Sequence, residues 1–202
     1  YAVLRNLVAG GFKGRIYPVN PDQQKVNGLR AFPSLSRIDE TVDLAVVASA
    51  VESVPGLIEE AGRVGVQRAL VLSAGGKENG RDGHERNQHI LQAARAGGLR
   101  IIGPDCVGII SAASSLNASF LGRMPPVGPI AFISQSGAMG LAILDRAARE
   151  HIGFRHFVSI GAMLDVDFGD LLNTFSGDRE VRAIVLYVEA LTQARKFMSA
   201  AR

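Results

Sequence analysis

The turn at residues 134–137 is the strongest candidate for a binding site in this sequence. A short apolar run ends in Ser134-Gln135-Ser136-Gly137, and a helical pattern begins directly after it. The N-terminus of a helix presents unpaired N–H groups and the positive end of the helix dipole, and the two serines add hydroxyl groups. We therefore predict an anion site here, with ordinary N-capping by the serines as the alternative. A nucleophile elbow is not predicted, because its Gly-x-Ser-x-Gly pattern is absent.

Two further side chains, Cys106 and Glu189, could take part in chemistry. Cys106 is the only cysteine of the chain, so internal disulfides and a cysteine-rich metal site are excluded. The sequence places no histidine beside it, and a lone thiol is more often a small core residue than a nucleophile. Glu189 stands at the predicted end of a strand, where a carboxylate can orient a histidine or a metal ion. An ordinary surface charge is the alternative for Glu189.

The sequence gives no pattern typical of metal ligands. Its four histidines include two pairs five residues apart, whereas ligands on one helix face are separated by three or four. Asp165, Asp167 and Asp170 are spaced like part of a calcium loop, but helix capping and the helix dipole explain them better. We therefore predict no metal site in this chain.

Charge and hydropathy argue against nucleic acid and membrane partners. The chain has a net charge of +3, and its basic residues are dispersed along the sequence. Only 6% of its residues are aromatic, so a nucleic-acid-binding surface is disfavoured. A modest positive charge suits a polyphosphorylated small ligand equally well. No apolar run reaches the roughly 18 residues that a membrane span needs, and the start of the chain lacks a signal-peptide pattern. We therefore expect a cytoplasmic protein.

Short β-branched runs alternate with helical patterns, which is typical of an α/β fold with parallel sheets. The loop at 125–129 contains three prolines and a glycine, and we place a domain boundary there, giving domains at 1–125 and 126–202. The second domain has only three predicted strands, so we expect it to be truncated. The chain opens on a helix, so we expect a first strand and a glycine-rich turn to precede it. Strands are predicted at 15–19, 44–48, 69–72, 99–102, 130–134, 157–160 and 183–188.

Ligands of open α/β sheets collect beyond the carboxyl ends of the strands. Two of these ends, 48–50 and 72–76, consist mostly of small residues that allow a ligand to approach the backbone, although tight packing is an alternative. The strand predicted at 15–19 has no Asp or Glu at its tip, where an NAD-binding domain hydrogen-bonds a ribose. An NAD-binding domain is therefore disfavoured.

Four motifs in this order resemble the α part of NDP-forming acyl-CoA synthetases and, more distantly, succinyl-CoA synthetase α subunits. The resemblance implies an α/β protein in which a Rossmann-like CoA-binding domain, without its first strand and glycine-rich loop, precedes a truncated flavodoxin-like ligase domain. The motifs are Tyr17-Pro18-Val19-Asn20-Pro21, Gly103-Pro104-Asp105-Cys106-Val107-Gly108, Ser134-Gln135-Ser136-Gly137-Ala138 and Asp165-Val166-Asp167-Phe168.

The same resemblance implies roles for particular residues. Cys106 would lie near the CoA thiol, Ser134, Gln135, Ser136 and Gly137 would hold phosphate, and Glu189 would pair with a phosphorylated histidine outside this chain. The path of the CoA nucleotide and pantetheine would be lined by Pro21, Ser49, Ser73, Ala74 and Gly75.

By resemblance, the full protein would be an acid–CoA ligase that works through an acyl phosphate and a phosphohistidine. ATP or ADP and Mg²⁺ would bind outside this chain, on an ATP-grasp domain or subunit, and we expect an oligomer. The chain alone would be inactive. Asp105 and Ala162 stand where the family usually has Asn. The segment 162–167 and the last residues look closest to members fused to a GNAT-type acetyltransferase, so a CoA-sensing regulatory module of a protein lysine acetyltransferase is the alternative.

Overall fold

The computed structural model of the protein describes residues 1–74 and 80–202. None of the helices in these two ranges combines the length and the apolar character needed to cross a bilayer. The helices are α1 (Ala2–Ala9), α2 (Val54–Arg63), α3 (Gly80–Ala96), α4 (Gly137–Arg149), α5 (Phe168–Ser176) and α6 (Ala194–Ala200), with short 3₁₀ turns at Leu35–Arg37, Val51–Ser53 and Ala112–Ser114. The strands are β1 (Lys25–Val26), β2 (Leu29–Arg30), β3 (Ala45–Val47), β4 (Arg68–Val71), β5 (Arg100–Ile102), β6 (Gly108–Ser111), β7 (Leu116–Ser119), β8 (Val127–Ser134), β9 (Phe154–Ser159) and β10 (Ala183–Tyr187).

The first large sheet is parallel and contains β3, β4 and β5 in that order. One face packs against the apolar sides of α2 and α3, where Val54, Ile58 and Ile90 are fully buried. The other face packs against α1 through Val3 and against β7 through Ala118. Layers on both faces explain why the strands are nearly continuous apolar runs. The predicted α/β class is confirmed.

The second large sheet has five strands in the order β10-β8-β9-β6-β7. The three strands expected from the alternating pattern, β8, β9 and β10, are parallel, whereas β6 is antiparallel to both β7 and β9. Helix α4 covers one face, and α5 covers the other through Phe168 and Phe175. The sheet therefore has two strands more than were predicted. The additional strands form the β6–β7 hairpin, which was not predicted from the sequence.

No strand forms at residues 15–19, so the strand predicted there is wrong. Val19 forms one isolated bridge with Phe32, supported by hydrogen bonds from Asn20 N to Phe32 O and from Phe32 N to Pro18 O. Tyr17 also packs edge-to-face on Phe32. A β-branched segment becomes a strand only where a neighbouring backbone pairs along it, and here the pairing covers one position.

The hairpin β6–β7 precedes the predicted domain boundary but belongs to the second sheet. The boundary between residues 125 and 126 stays a prediction, whereas β6 and β7 pair within the sheet that contains β8 to β10. The sheets themselves therefore divide between β5 and β6, before the proline-containing loop.

Two sequence-distant segments join the sheets, and we call them together the bridging ladder: residues 101–111 and 156–166. At one end β6 pairs with β9, as in Ile109 opposite Val158. Beyond the end of β9 the same antiparallel course continues toward the first sheet. Ala162 N donates to Pro104 O at 2.8 Å, and Val166 N donates to Ile101 O at 3.1 Å. The bridging ladder therefore connects the two sheets, with a bond from Val107 N to the Ser159 hydroxyl between the two backbone-paired parts.

Gly161 lies where the bridging ladder is most crowded. Its φ is +55°, and an added Cβ would come within 2.1 Å of Pro104 O and 2.6 Å of Asp105 O. Both contacts are with backbone atoms, which cannot rotate away as a flexible side chain can. Only glycine fits both the left-handed backbone and this close approach.

We predict that Gly161→Ala lowers the free energy of unfolding by at least about 2 kcal/mol, since it combines left-handed strain with a backbone clash. Urea denaturation followed by circular dichroism measures the change. The matched control is Gly56→Ala in α2, where a Cβ meets nothing within 4 Å. We expect it to leave stability unchanged or raise it by up to about 1 kcal/mol. A Gly161→Ala protein as stable as wild type would show that the 103–105 loop can move aside.

Candidate functional site

The carboxyl ends of β3, β4 and β5 meet at one edge and are tied together by hydrogen bonds. Ser73, at the end of β4, is buried, and its hydroxyl donates to the carbonyl of Ser49 at 2.7 Å. Asp105 N, after β5, donates to the carbonyl of Ser73 at 3.1 Å. Ser73 therefore holds the neighbouring strand ends together, and its hydroxyl hydrogen is used within the protein.

Small exposed residues line this edge. Ala48, Ser49 and Ala50 after β3 are exposed, as is Ala74 after β4. Their short side chains leave the backbone of this edge accessible. Gly75, predicted to line the same path, lies outside the described residues.

Pro21 lies in a turn of its own. The Asn20 side-chain oxygen Oδ1 accepts hydrogen bonds from Asp22 N at 2.9 Å and from Gln23 N at 3.0 Å. Pro21 itself is exposed. Among the residues that the structure describes, no hydrogen bond joins this turn to the ends of β3, β4 and β5. The predicted ligand contact of Pro21 stays a prediction.

Cys106 faces the core behind the same edge. The side chain packs with Val3, Leu70 and Leu72, and its Sγ donates to Val71 O at 3.3 Å. Burial raises the pKa of the Cys106 thiol to about 12. The thiol is therefore protonated at neutral pH. This agrees with the sequence analysis, which did not favour a nucleophilic role for Cys106. Its proximity to a CoA thiol stays a prediction.

The turn at 134–137 forms the predicted start of a helix, but one serine has a different role. Ser134 is fully buried and donates its hydroxyl to Ser136 O at 2.6 Å. Its hydroxyl hydrogen is therefore used within the turn, and the predicted phosphate contact of Ser134 stays a prediction. Buried hydroxyl groups are normally satisfied in this way.

Ser136 and the first residues of α4 form the accessible part of the turn. Ser136 is the N-cap, and its hydroxyl oxygen accepts from Met139 N at 3.3 Å. The N–H groups of Gly137 and Ala138 belong to the first turn, where helix geometry supplies no acceptor. Gly137 has a further reason to be glycine, because an added Cβ would lie 2.5 Å from Cγ1 of Val107. The turn can thus offer two backbone donors and the positive end of the α4 dipole to an anion.

Glu189 lies beside this turn because Gln135 joins the two segments. The Gln135 side-chain oxygen Oε1 accepts from Glu189 N at 2.9 Å and from Ala190 N at 3.0 Å. Gln135 N in turn donates to Tyr187 O, at the end of β10. The structure therefore brings together the two parts of the site predicted separately at 134–137 and at 189. The sequence interpretation missed the joining role of Gln135.

The bridging ladder places the turn next to the edge of the first sheet. Val107, one residue after Cys106, donates its N–H to the hydroxyl of Ser159 at 3.1 Å. Ile160 N donates to Ser134 O at 2.9 Å. Ser159 was not singled out in the sequence, and Val107 was named only as part of the motif at 103–108. Serine as the last residue of both β8 and β9 was the signal that could have found Ser159.

The acidic cluster at the start of α5 is structural. Asp167 is the N-cap of α5 and forms a reciprocal capping box with Asp170. Lys196 contacts both carboxylates, and Arg100 contacts Asp165 and Asp170. Burial opposes ionisation of Asp170, but hydrogen bonds from Lys196 and from Asp167 N outweigh it and lower the pKa. Capping, favoured from the sequence over a calcium loop, is confirmed for this pair. Across residues 1–74 and 80–202, no group of three or more acidic, histidine or cysteine side chains is arranged to hold a metal ion.

Comparison with protein families gives two adjacent matches. Residues 1–112 match the model of a CoA binding domain. The chain belongs to this family of CoA-binding domains. After the CoA-binding domain in sequence, residues 127–202 match a succinyl-CoA ligase like flavodoxin domain. The Rossmann-like and flavodoxin-like assignments made from the sequence are thereby confirmed.

Relatives with the same two modules are ADP-forming acetate–CoA ligases. The chain is 38% identical over 189 residues to the α subunit of acetate–CoA ligase [ADP-forming] II of Pyrococcus furiosus, covering 94% of this chain and 41% of that subunit. It is 40% identical over 195 residues to acetate–CoA ligase [ADP-forming] of Methanocaldococcus jannaschii, covering 96% of this chain and 27% of the relative.

A solved structure with the same fold is acetyl-coenzyme A synthetase 1 of Candidatus Korarchaeum cryptofilum, in complex with phosphate and ADP. Its TM-score is 0.95 at 37% identity, over 99% of this chain and 43% of that chain. The CoA-binding chain therefore spans less than half the length of each relative described above.

We predict that Cys106 resists alkylation by iodoacetamide in the folded protein at about pH 8, because burial keeps the thiol protonated and inaccessible. The same reagent should modify it fully in urea. Mass spectrometry gives a direct answer, since the chain has one cysteine. Rapid labelling of the native protein would mean that Cys106 is exposed and reactive, contrary to its position in the core.

Proposed function

We propose that this chain is the CoA-binding portion of an ADP-forming acyl-CoA synthetase, with acetate as the preferred acid. The full reaction would interconvert acyl-CoA, ADP and phosphate with a carboxylic acid, CoA and ATP. The observation that carries the proposal is the juxtaposition of a small-residue strand edge and an anion-binding helix start, joined by the bridging ladder. Similarity to ADP-forming acetate–CoA ligases over both modules supports the same conclusion.

The edge of the first sheet is the proposed CoA site. Ser49 and Ala74 would contact the ligand directly, because both are exposed there. Ser73 would act by holding the shape of the edge, since its hydroxyl is bonded to Ser49 O. Pro21, Gly75 and the region of Cys106 complete the proposed path along the nucleotide and pantetheine.

The start of α4 and Glu189 form the proposed phosphoryl site. Gly137 N and Ala138 N would donate to the oxygens of an acyl phosphate or a phosphoryl group, and the helix dipole would favour its negative charge. The carboxylate of Glu189 would accept a hydrogen bond from the ring of the phosphorylated histidine, holding it in one tautomer. CoA, when bound at the neighbouring edge, supplies the thiol that becomes the thioester.

Nucleotide chemistry is assigned to another part of the protein. We place ATP or ADP and Mg²⁺ on an ATP-grasp domain or subunit that assembles with this chain. The solved relative from Korarchaeum was obtained with phosphate and ADP. The relatives named above are ligases, so they do not support the alternative of a regulatory module in a GNAT-type acetyltransferase.

We predict that the chain binds CoA more tightly than NADH, and that Ser49→Asp weakens CoA binding at least about tenfold by placing a negative charge beside its phosphates. Isothermal titration calorimetry measures both affinities. Thr41→Asp is the matched control, because it adds the same charge before β3, at the opposite end of the strand. Tighter binding of NADH than of CoA would reject the ligand assignment, and equal loss in both variants would reject the assigned edge.

We predict that Ser136→Ala weakens binding of inorganic phosphate by about 1 kcal/mol, or about fivefold, because one hydroxyl is lost while the amides and the dipole remain. Titration of the backbone amides of Gly137 and Ala138 by NMR measures the affinity. Ser114→Ala serves as a control, since Ser114 is exposed and its hydroxyl donates to Ser111 O in its own turn. If these amides ignore phosphate, the serine is only a cap and the phosphoryl site lies elsewhere.

A further inference from the structure

Asn6 is a buried polar residue of helix α1. It is 5% exposed, and its side-chain nitrogen Nδ2 donates to Ser119 O at 2.9 Å and to Leu121 O at 3.0 Å. Both acceptors are carbonyl oxygens, so the group that faces them must be the NH₂ of the amide. The acceptors lie 113 and 115 positions further along the chain, at the end of β7 and just beyond it. Asn6 therefore attaches the first helix of the CoA-binding domain to the second sheet.

The two acceptors belong to a hydrogen-bond network whose other bonds do not involve α1. The Asn117 amide donates to Leu121 O at 3.1 Å, and Ser119 Oγ donates to Asn117 Oδ1 at 2.5 Å. Leu121 N donates in turn to Ser119 Oγ at 3.1 Å. Asn117 and Ser119 are buried. A satisfied buried polar network rigidifies its surroundings and specifies one arrangement of its parts. The network therefore holds α1 in one position on β7.

The start of α1 packs behind the edge where the carboxyl ends of β3, β4 and β5 meet. Val3 lies three residues before Asn6, so the two side chains share one face of the helix. Val3 belongs to the same buried cluster as Leu72 and Cys106, which lie beyond the ends of β4 and β5. The helix that Asn6 holds is therefore packed against the strand ends that form the proposed CoA site.

The start of α1 is also joined to the turn that carries Pro21. Tyr1 Oη donates to Gln23 Oε1 at 3.1 Å. Gln23 N donates to the Asn20 side chain that closes this turn. The bond from Tyr1 is exposed and therefore contributes little stability, but it shows where the helix start lies. The two parts of the predicted CoA path, the turn and the strand ends, thus meet at one helix.

A purely structural role of Asn6 would have one consequence. If the amide served only to satisfy two buried carbonyl groups, its loss would lower stability and leave CoA binding by the folded protein unchanged. The position of α1 predicts a second consequence. Because the helix contacts the second sheet through Asn6 and the CoA path through its first turn, a displaced helix changes the distance between the two parts of that path.

We propose that Asn6 is a positioning residue for CoA binding and acts through α1. Its two bonds fix α1 on the second sheet, and α1 in turn holds the Pro21 turn beside the strand ends of the first sheet. The affinity for CoA thereby depends on a contact between the two sheets that lies outside the ligand path. The inference rests on the proposed function, because it takes CoA as the ligand of this edge.

The test compares the CoA affinities of folded variants by isothermal titration calorimetry, with circular dichroism to establish that each variant is folded. Asn6→Leu has a branched side chain like asparagine but cannot donate to the two carbonyl groups, so CoA affinity should fall about tenfold. Asn6→Ser is smaller and keeps one donor, so CoA affinity should fall about threefold. If Asn6→Leu does not fold, Asn6→Ser decides the question.

The matched control is Phe175→Leu, a core substitution where α5 covers the second sheet. It should lower the urea midpoint, as the Asn6 variants do, while CoA affinity stays within about twofold of wild type. A spectroscopic readout accompanies these affinities. In the ¹⁵N-labelled chain, the backbone amide signals of Asp22 and Gln23 should shift in the Asn6 variants and stay in place in Phe175→Leu.

Three results would overturn the proposal in different ways. Equal CoA affinity in wild type and in the folded Asn6 variants would reject the positioning function and leave the proposed CoA site intact. An equal loss of affinity in Phe175→Leu would reject it as well, because lowered stability would then account for the effect. A wild-type chain that does not bind CoA would reject the proposed function itself, and the inference about Asn6 would fail with it.

Discussion

The bridging ladder is the interaction on which the rest of the structure depends. Residues 101–111 and 156–166 pair antiparallel from the first sheet into the second, first through backbone bonds such as Ala162 N to Pro104 O and then through β6 and β9. The ladder holds the exposed edge of the CoA-binding sheet beside the start of α4. Without it, each sheet would carry half of a site with no defined distance to the other half.

Three buried serines at strand ends stabilise the backbone around the candidate site. Ser73, Ser134 and Ser159 are buried, and each bonds to a backbone group, Ser73 and Ser159 in another segment and Ser134 within its own turn. Their hydroxyl groups satisfy buried polar atoms that would otherwise oppose folding. The residues beside them that are exposed at these ends are small, such as Ser49 and Ala74. Serine at the end of a parallel strand is therefore a poor guide to ligand contact until its hydrogen bonds are known.

The sequence predicts local features of this protein well and long-range ones poorly. Alternating apolar runs predicted β3 to β5 and β8 to β10, and the Ser-Gly turn predicted a helix from about residue 138, where α4 begins at Gly137. The hairpin β6–β7 escaped prediction because its serine-containing segment has no strong strand pattern and depends on pairing with β9. The same reason applies to the bond between Gln135 and the backbone at 189–190, since contacts between distant segments leave no periodic signal.

The bridging ladder also determines when the site can form during folding. Bonds such as Ile101 N to Asp165 and Val107 N to Ser159 connect residues 64 and 52 positions apart, and the loop they close contains β7, β8 and α4. Closing such a loop costs chain entropy, which is offset only when the distant contacts form together. The bonds from Ala162 N to Pro104 O and from Val107 N to Ser159 therefore form only after residues 159–166 have docked. Although two family modules divide the chain, these hydrogen bonds join them, so each module supplies partners for polar groups of the other.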